Sequence, residues 1–113
     1  MDVDIIPSDM KRNQILQQLH KFGFTASQAR LYLAGLTLGK VLMKHLAKEA
    51  GVSRGTAYYI MTELERRGFF LHKKTGKRTY YLAVSPQELL NMTLHREQLV
   101  RSILPNLKII AKQ

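Results

Sequence analysis

Small residues set at fixed intervals around one glycine constrain this chain most. Ala47 is followed by Gly51 four positions on, and by Ala57 and Ile60 at ten and thirteen. Two helices crossing at a sharp angle need that arrangement. The small residue lets the backbones approach, the glycine makes the turn, and the later apolar pair pins the second helix onto the first. Val52 fills the corner. The spacing alone also fits an ordinary helical hairpin, so the flanking segments decide what the pair is for.

Those flanks read as more helix, then a ribbon. A first helix is expected from Ser8, whose hydroxyl can cap free amides, with Ile15, Leu16, Leu19 and Phe22 at helical spacing and Gly23 at its end. Thr25-Ala26-Ser27-Gln28 is a capping box opening a second helix over about 26–38, apolar on most sides and stopped by Gly39. A third helix spans about 43–50, with Leu42, Leu46, Ala47 and Ala50 inward. A fourth runs about 54–67 behind a Ser53 cap and is closed by Gly68. The pattern then switches to aromatic and β-branched residues over 69–73 and 78–84, joined by Lys74-Thr75-Gly76-Lys77 as a basic turn. Both faces of the second strand look apolar, which leaves its inward face open; Val41-Leu42 could add a very short third strand. Ser85-Pro86-Gln87-Glu88 reads as another capping box before a last helix, which Pro105 is expected to kink or break. The sum is a mainly α fold with a small β-hairpin: a winged helix-turn-helix with an added C-terminal helix. Residues 1–85 form the winged domain, with 1–7 expected to be flexible, and 86–113 form the added helix.

Charge gives the first functional clue. Eighteen Lys and Arg stand against eight Asp and Glu in 113 residues, a net charge of +10. Three of the acids (Asp2, Asp4, Asp9) lie in the first nine residues, leaving five against eighteen cations from Met10 onward. A small fold with that excess attracts polyanions at long range, whereas solubility alone needs a net charge of only about 2 to 8. Nucleic acid is the favoured partner, ahead of an acidic membrane surface or an acidic protein. No apolar run approaches the ~20 residues of a membrane span, and the acidic start is unlike a signal peptide. The absence of cysteine excludes disulfides and thiolate metal sites and suits a reducing cytoplasm.

With Ala57, Ile60, Met61 and Leu64 facing the core, Arg54, Gly55, Tyr58, Tyr59 and Thr62 look outward, and Ser53 and Thr56 stand at the leading end. A major groove admits one helix, whose N-terminal part reaches the bases. Arg54 can fork onto guanine O6 and N7 or onto a phosphate, unless it is simply a solvated cation. Thr56 can reach a base edge or a thymine methyl. Tyr58 and Tyr59 offer hydroxyls to phosphate and rings to sugars or methyls, with Tyr58 the better candidate for packing on the hairpin instead. Ser53 can cap the helix and touch phosphate together. Gly55, costly inside a helix, hints at close backbone approach. Between Arg66 and Arg78 lie six cations (Arg66, Arg67, Lys73, Lys74, Lys77, Arg78) and no acid, a ribbon suited to neutralising phosphates.

Signals for catalysis are missing. His20, His45, His72 and His95 stand about 25 residues apart with no shared ligand spacing. No carboxylate pair, glycine-rich phosphate loop or nucleophile motif accompanies them. No enzyme activity, metal or cofactor is expected.

The ordered set Gly23-Phe24-Thr25, Ala29-Arg30-Leu31-Tyr32-Leu33-Ala34, Leu36 and Gly39 resembles the opening of TrmB-like archaeal and bacterial transcriptional regulators. The likeness continues through Leu46-Ala47, Gly51-Val52-Ser53-Arg54, Tyr58, Met61, Leu64-Glu65, Gly68, Tyr81 and Ala83-Val84-Ser85-Pro86, covering about residues 16 to 92. It implies a winged-helix DNA-binding domain that represses or activates promoters as a dimer. Arg54, Thr56 and Tyr59 would lie on the DNA-facing helix, and residues Lys73 to Arg78 would form the wing. Larger members continue into a coiled coil and a sugar-binding domain. This chain stops at Gln113, either as a minimal regulator or as part of a longer one, so no sugar response carries over and the existence of a small-molecule effector stays open.

The reading is a sequence-specific double-stranded DNA-binding regulator. Its last helix, through Leu89, Met92, Leu99, Ile103 and Ile110, pairs with a second copy over a palindromic operator, unless that stripe packs back on the first helix. Arg96 and Asn106 on the same seam would cost stability but could fix register. The rivals are a winged helix serving as a protein-interaction module and a protein that coats nucleic acid without sequence preference.

Overall fold

The computed structural model describes residues 9–112, with side chains from Lys11 onward; the expected Ser8 cap and the expected flexibility of residues 1–7 lie outside that range. Five helices and three strands follow in the order α1 (Asp9–Phe22), α2 (Ala26–Leu38), β1 (Val41–Leu42), α3 (Met43–Ala50), α4 (Arg54–Arg66), β2 (Phe70–Thr75), β3 (Arg78–Ala83) and α5 (Pro86–Ile110). The strands form one antiparallel sheet in the order β1-β3-β2.

Local chemistry sets the boundaries. The Thr25 hydroxyl accepts the Gln28 amide at 3.1 Å while the Gln28 side chain accepts the Thr25 amide at 3.0 Å, so both halves of the expected capping box form. Gly51 takes a left-handed conformation (φ 76°, ψ 31°), and the Val52 amide reaches back five residues to the Ala47 carbonyl at 3.1 Å. That closure satisfies carbonyls at the end of α3 and turns the chain sharply into α4. Ala47 and Ala57 are both buried, and Val52 and Ile60 pack on the core beside them.

Phe24, Leu31, Tyr32, Leu46, Met61, Leu64, Phe69 and Phe70 are the largest fully buried side chains. Phe24 stacks on Tyr32 with ring centroids 5.4 Å apart and leans on Phe69 at 4.6 Å. The buried phenol of Tyr32 donates to the Val84 carbonyl at 2.8 Å, tying α2 to the end of the sheet. Helix α2 is central as expected, but its last turn is less covered: Leu36 and Leu38 are 38% and 37% exposed.

Three expectations need correction. The turn of the hairpin is tighter than Lys74-Thr75-Gly76-Lys77, because Lys74 pairs with Thr79 and Thr75 with Arg78, leaving Gly76 and Lys77 to make the reversal. Gly76 supplies the positive φ (64°) that such a two-residue turn requires. The capping box at Ser85 does not form: the Glu88 amide donates to the Ser85 carbonyl at 2.9 Å, and the Glu88 carboxylate accepts from Asn91 instead. Of the kink or break expected at Pro105, the break does not occur, since the last helix continues to Ile110. Its missing amide leaves one carbonyl a turn earlier without a partner, and on a helix with no buried residue water can satisfy that carbonyl.

The inward face of β3, open from sequence, is the one bearing Tyr81 and Ala83, both buried, while Leu82 points out at 45% exposure. Among the described residues, helix α5 packs on the core through its first turns, at Leu89 and Met92. Beyond them it stands clear. A radius of gyration of 17.3 Å, against about 13 Å for a compact domain of this length, records that projection. Among the described residues no helix is long and apolar enough to cross a membrane.

Candidate nucleic-acid interface

The outward face of α4 and its cap carry the seven residues expected there. Ser53, Arg54, Gly55, Thr56, Tyr58, Tyr59 and Thr62 are all exposed, whereas Ala57, Met61 and Leu64 on the opposite side are buried. Ser53 caps the helix by accepting the Thr56 amide at 3.2 Å, and its hydroxyl proton goes to the Thr56 hydroxyl oxygen at 2.8 Å. The Thr56 proton therefore stays available for an outside acceptor. Thr62 differs: its hydroxyl donates back to the Tyr58 carbonyl at 3.3 Å, which leaves only its lone pairs to offer. Around Gly55, a Cβ would meet no atom within 4 Å, so the helix surface there is bare backbone open to close approach. Tyr59 is the more exposed tyrosine at 82%, against 50% for Tyr58.

That face divides into two sides. On one, Arg54 and Tyr58 share a polar depression with Lys77, Arg78 and Thr79 of the hairpin and with Leu42, Met43 and Lys44 at the start of α3. The leading end of α4 and the tip of the ribbon thus open onto one surface, and Tyr58 is the tyrosine nearer the hairpin, as its position suggested. On the other side, Thr56, Tyr59, Ile60, Thr62 and Glu63 line a groove with Thr25, Ser27 and Gln28 at the start of α2. Lys44, Thr25 and Ser27 were not anticipated. In sequence Lys44 is one lysine among eighteen cations and the hydroxyls read only as caps, so no local signal marks them.

The six cations counted along the ribbon do different jobs. Arg66 is bound by the Glu63 carboxylate through two hydrogen bonds of 2.9 and 2.6 Å, and these hold the Glu63 carboxyl below its usual range. Arg67 turns inward, its guanidinium 4.9 Å from the Phe69 ring centroid and 3.2 Å from the Gln28 side-chain oxygen. It secures the junction between α4 and the hairpin. Lys73, Lys74, Lys77 and Arg78 remain exposed on the wing. Directly paired residues share a face of the sheet. Lys74, opposite Thr79, is thus on the side that looks toward α4, and Lys73, opposite Tyr80, is on the outer side.

A further contact sets the angle between helix and ribbon. The imidazole of His72 on β2 bonds the Glu65 carboxylate on α4, and its ring lies 5.9 Å from that of Tyr81. His20 is engaged elsewhere, its Nδ1 donating to the Phe24 carbonyl at 2.8 Å. Among the described residues no group of three or more His, Cys, Asp or Glu is placed to hold a metal ion.

A three-helix core with two helices crossing at a glycine turn, followed by a basic β-ribbon beside the second of them, is a winged helix-turn-helix. The family model of the sugar-specific transcriptional regulator TrmB matches residues 19–87. The HTH-type sugar sensing transcriptional regulator TrmBL1 of Pyrococcus furiosus is 33% identical over 96 residues, 83% of this chain but 27% of that protein. On the family match, which covers more than half of its length, the chain belongs to the TrmB family of transcriptional regulators. Among solved structures, the archaeal chromatin protein TrmBL2 superimposes with a TM-score of 0.77 at 23% identity, over 91% of this chain and 40% of that one. The homodimeric winged helix-turn-helix DNA-binding domain of a possible ArsR-family regulator from Mycobacterium bovis gives 0.53 at 19%, over 90% and 92%. These two likenesses are of fold. The chain spans about a quarter of the TrmBL1 protein and two-fifths of TrmBL2.

Proposed function

We propose that this protein is a sequence-specific regulator that binds double-stranded DNA as a homodimer. The observation that carries the reading is the shared depression, in which Arg54 and Tyr58 of α4 meet Lys77 and Arg78 of the wing and Lys44 of α3. A duplex with α4 in its major groove would meet base edges at Arg54 and Thr56 and backbone at Lys44, Tyr58, Lys74, Lys77 and Arg78. Tyr59, at 82% exposure, offers a ring to sugars and thymine methyls on the other flank. Residues 1–85 serve as the DNA-binding unit and residues 86–113 as the dimerisation element. Two α4 helices related by a twofold axis would call for a palindromic operator with half-sites about one helical turn, or a multiple of it, apart.

Within α5, Leu99, Ile103 and Ile110 remain 55%, 38% and 76% exposed, joined by Val100, Leu104 and Leu107. Leu89 and Met92 are partly used by the chain's own core, so the surface offered to a second copy begins past Met92.

The test is a mobility-shift titration with competitor DNA at graded salt. A regulator prefers its operator by ~10³-fold or more and loses affinity steeply with salt, in proportion to the phosphates it neutralises. Equal affinity for every sequence would replace this reading with a chromatin-type coating role, which the likeness to TrmBL2 keeps as the second reading. No binding at low salt would end both and favour a protein-interaction module.

A further inference from the structure

The hairpin carries one outward leucine on each strand, Leu71 on β2 and Leu82 on β3, and DNA binding through α4 uses neither. We infer that the outer face of the sheet is a docking surface for an acidic, amphipathic segment of another protein, open while α4 occupies DNA.

The register builds the face. Leu71 stands directly opposite Leu82, and Lys73 opposite Tyr80, so these four side chains share one side of the β2–β3 ribbon. Leu42 of β1, paired with Tyr80, extends it. Leu71 is 58% exposed and Leu82 45%, two cross-strand leucines in water where the pleat would equally accept threonine. The ammonium of Lys40 sits over the Tyr80 ring, 4.9 Å from its centroid, and Lys73 flanks the leucine pair from the other strand. None of the three strands contains an acidic residue. The surface is an aliphatic pair with a cationic rim.

Charge complementarity selects the occupant. Leucines gain nothing from phosphate, and Leu71 and Leu82 point away from the core face of the ribbon, whereas Leu42 and Arg78 at the margin of this side also line the depression beside Arg54. A second copy is a poor match for the cationic rim as well: of its five acids after Met10, Glu63, Glu65, Glu88 and Glu97 already engage Arg66, His72, Asn91 and Arg101. A segment carrying leucine-like side chains on one side and carboxylates beside them fits both features. Such a partner would be tethered at the operator by the DNA-bound regulator.

The probe is a synthetic peptide alternating leucine and glutamate, titrated into the isotope-labelled 113-residue chain and followed by amide chemical shifts. Saturable shifts centred on Leu71, Lys73, Tyr80 and Leu82 are expected, with affinity lowered about tenfold or more in L71T/L82T from the loss of two half-exposed leucines. Lys40→Glu should also weaken this peptide. Because the leucines are exposed, L71T/L82T should keep its melting temperature and its affinity for DNA. Any of four results would overturn the inference: equal shifts from a serine–glutamate peptide, shifts centred on α4 and Gly76, undiminished binding by L71T/L82T, or occupation of the face by anionic lipid vesicles or by a second copy without peptide. The readout does not depend on DNA, so a failure of the operator reading would leave it standing or falling by itself.

Discussion

Gly35 and Phe70 occupy each other's space: a Cβ built on Gly35 would lie 2.7 Å from the ζ-carbon of the Phe70 ring and 2.9 Å from the Cβ of Ala83. Helix α2 therefore lies directly against the sheet at this point, with only hydrogens between its backbone and the ring. The contact fixes how far the wing stands from the helical core, and with it the position of the wing tip beside Arg54.

Gly35→Ala should destabilise the protein although alanine is the better helix former. The helix gains up to ~1 kcal/mol from losing a glycine, but overpacking a buried ring typically costs about 1–3 kcal/mol, and Phe70 at 1% exposure has nowhere to retreat. Urea denaturation should show a lower midpoint with an unchanged slope. A midpoint at or above that of the parent would mean the ring relaxes freely.

The separate roles of the arginines and lysines predict separate phenotypes. Lys74→Ala or Lys77→Ala should weaken binding to all DNA sequences alike and lower the log–log salt slope by about one. Arg54→Ala should cost ~1–3 kcal/mol of binding and relax discrimination at one position of the operator. Arg67→Ala should leave the salt slope alone and lower stability instead, by roughly 1–2 kcal/mol, through loss of its contacts with Phe69 and Gln28. A reduced salt slope in Arg67→Ala would put that side chain back on the DNA.

Which of these roles the sequence discloses follows from the range of the interaction behind it. The bounds of α2 and α3 are readable because local contacts make them: Thr25 with Gln28 at one end, Gly51 with Ala47 at the other. The outward set on α4 follows from helical period alone. Arg66 could have been set aside from sequence, because Glu63 stands three residues before it on the same helix, whereas Arg67 looks like a wing cation because its partner Gln28 is 39 residues away. Lys44 joins the site only when the β-ribbon closes over α3, and the Gly35–Phe70 contact joins residues 35 apart in the chain. At Ser85, a backbone carbonyl outcompetes the hydroxyl for the Glu88 amide, and the four-residue pattern is the same either way.

Alkaline pH should unfold the protein through Tyr32. Burial raises its phenol from 10.0 to about 12, and it donates to the Val84 carbonyl. An acid whose folded pKa is raised keeps its proton longer in the folded state, so its contribution is complete below pH 10 and is lost as pH rises toward 12. That window is worth on the order of 2–3 kcal/mol. Tyrosinate absorbance should therefore rise in steps, Tyr32 last, with Tyr81 also delayed by burial. In Tyr32→Phe the final step should vanish and the alkaline loss of stability should flatten. A single step near the ordinary tyrosine value would contradict the buried donor.

The last prediction concerns assembly. Helix α5 is about 37 Å long, is anchored at Leu89 and Met92, and presents Leu99, Val100, Ile103, Leu104, Leu107 and Ile110 to water at 38–76% exposure. A monomer that left this surface bare would expose more contiguous apolar area than soluble proteins usually tolerate. Light scattering during size exclusion should give twice the 13.0 kDa chain mass at micromolar concentration, and the melting temperature should rise with concentration. Ile103→Glu should yield a monomer, because two carboxylates would meet across a twofold seam. Its winged domain should stay folded, since Ile103 lies beyond the turns of α5 that touch the core. That monomer should bind a half-site weakly and lose the advantage of the full palindrome. A parent protein that elutes as a monomer at the same concentration would remove the dimer, and the palindrome with it, while leaving the contacts of a single α4 and wing intact.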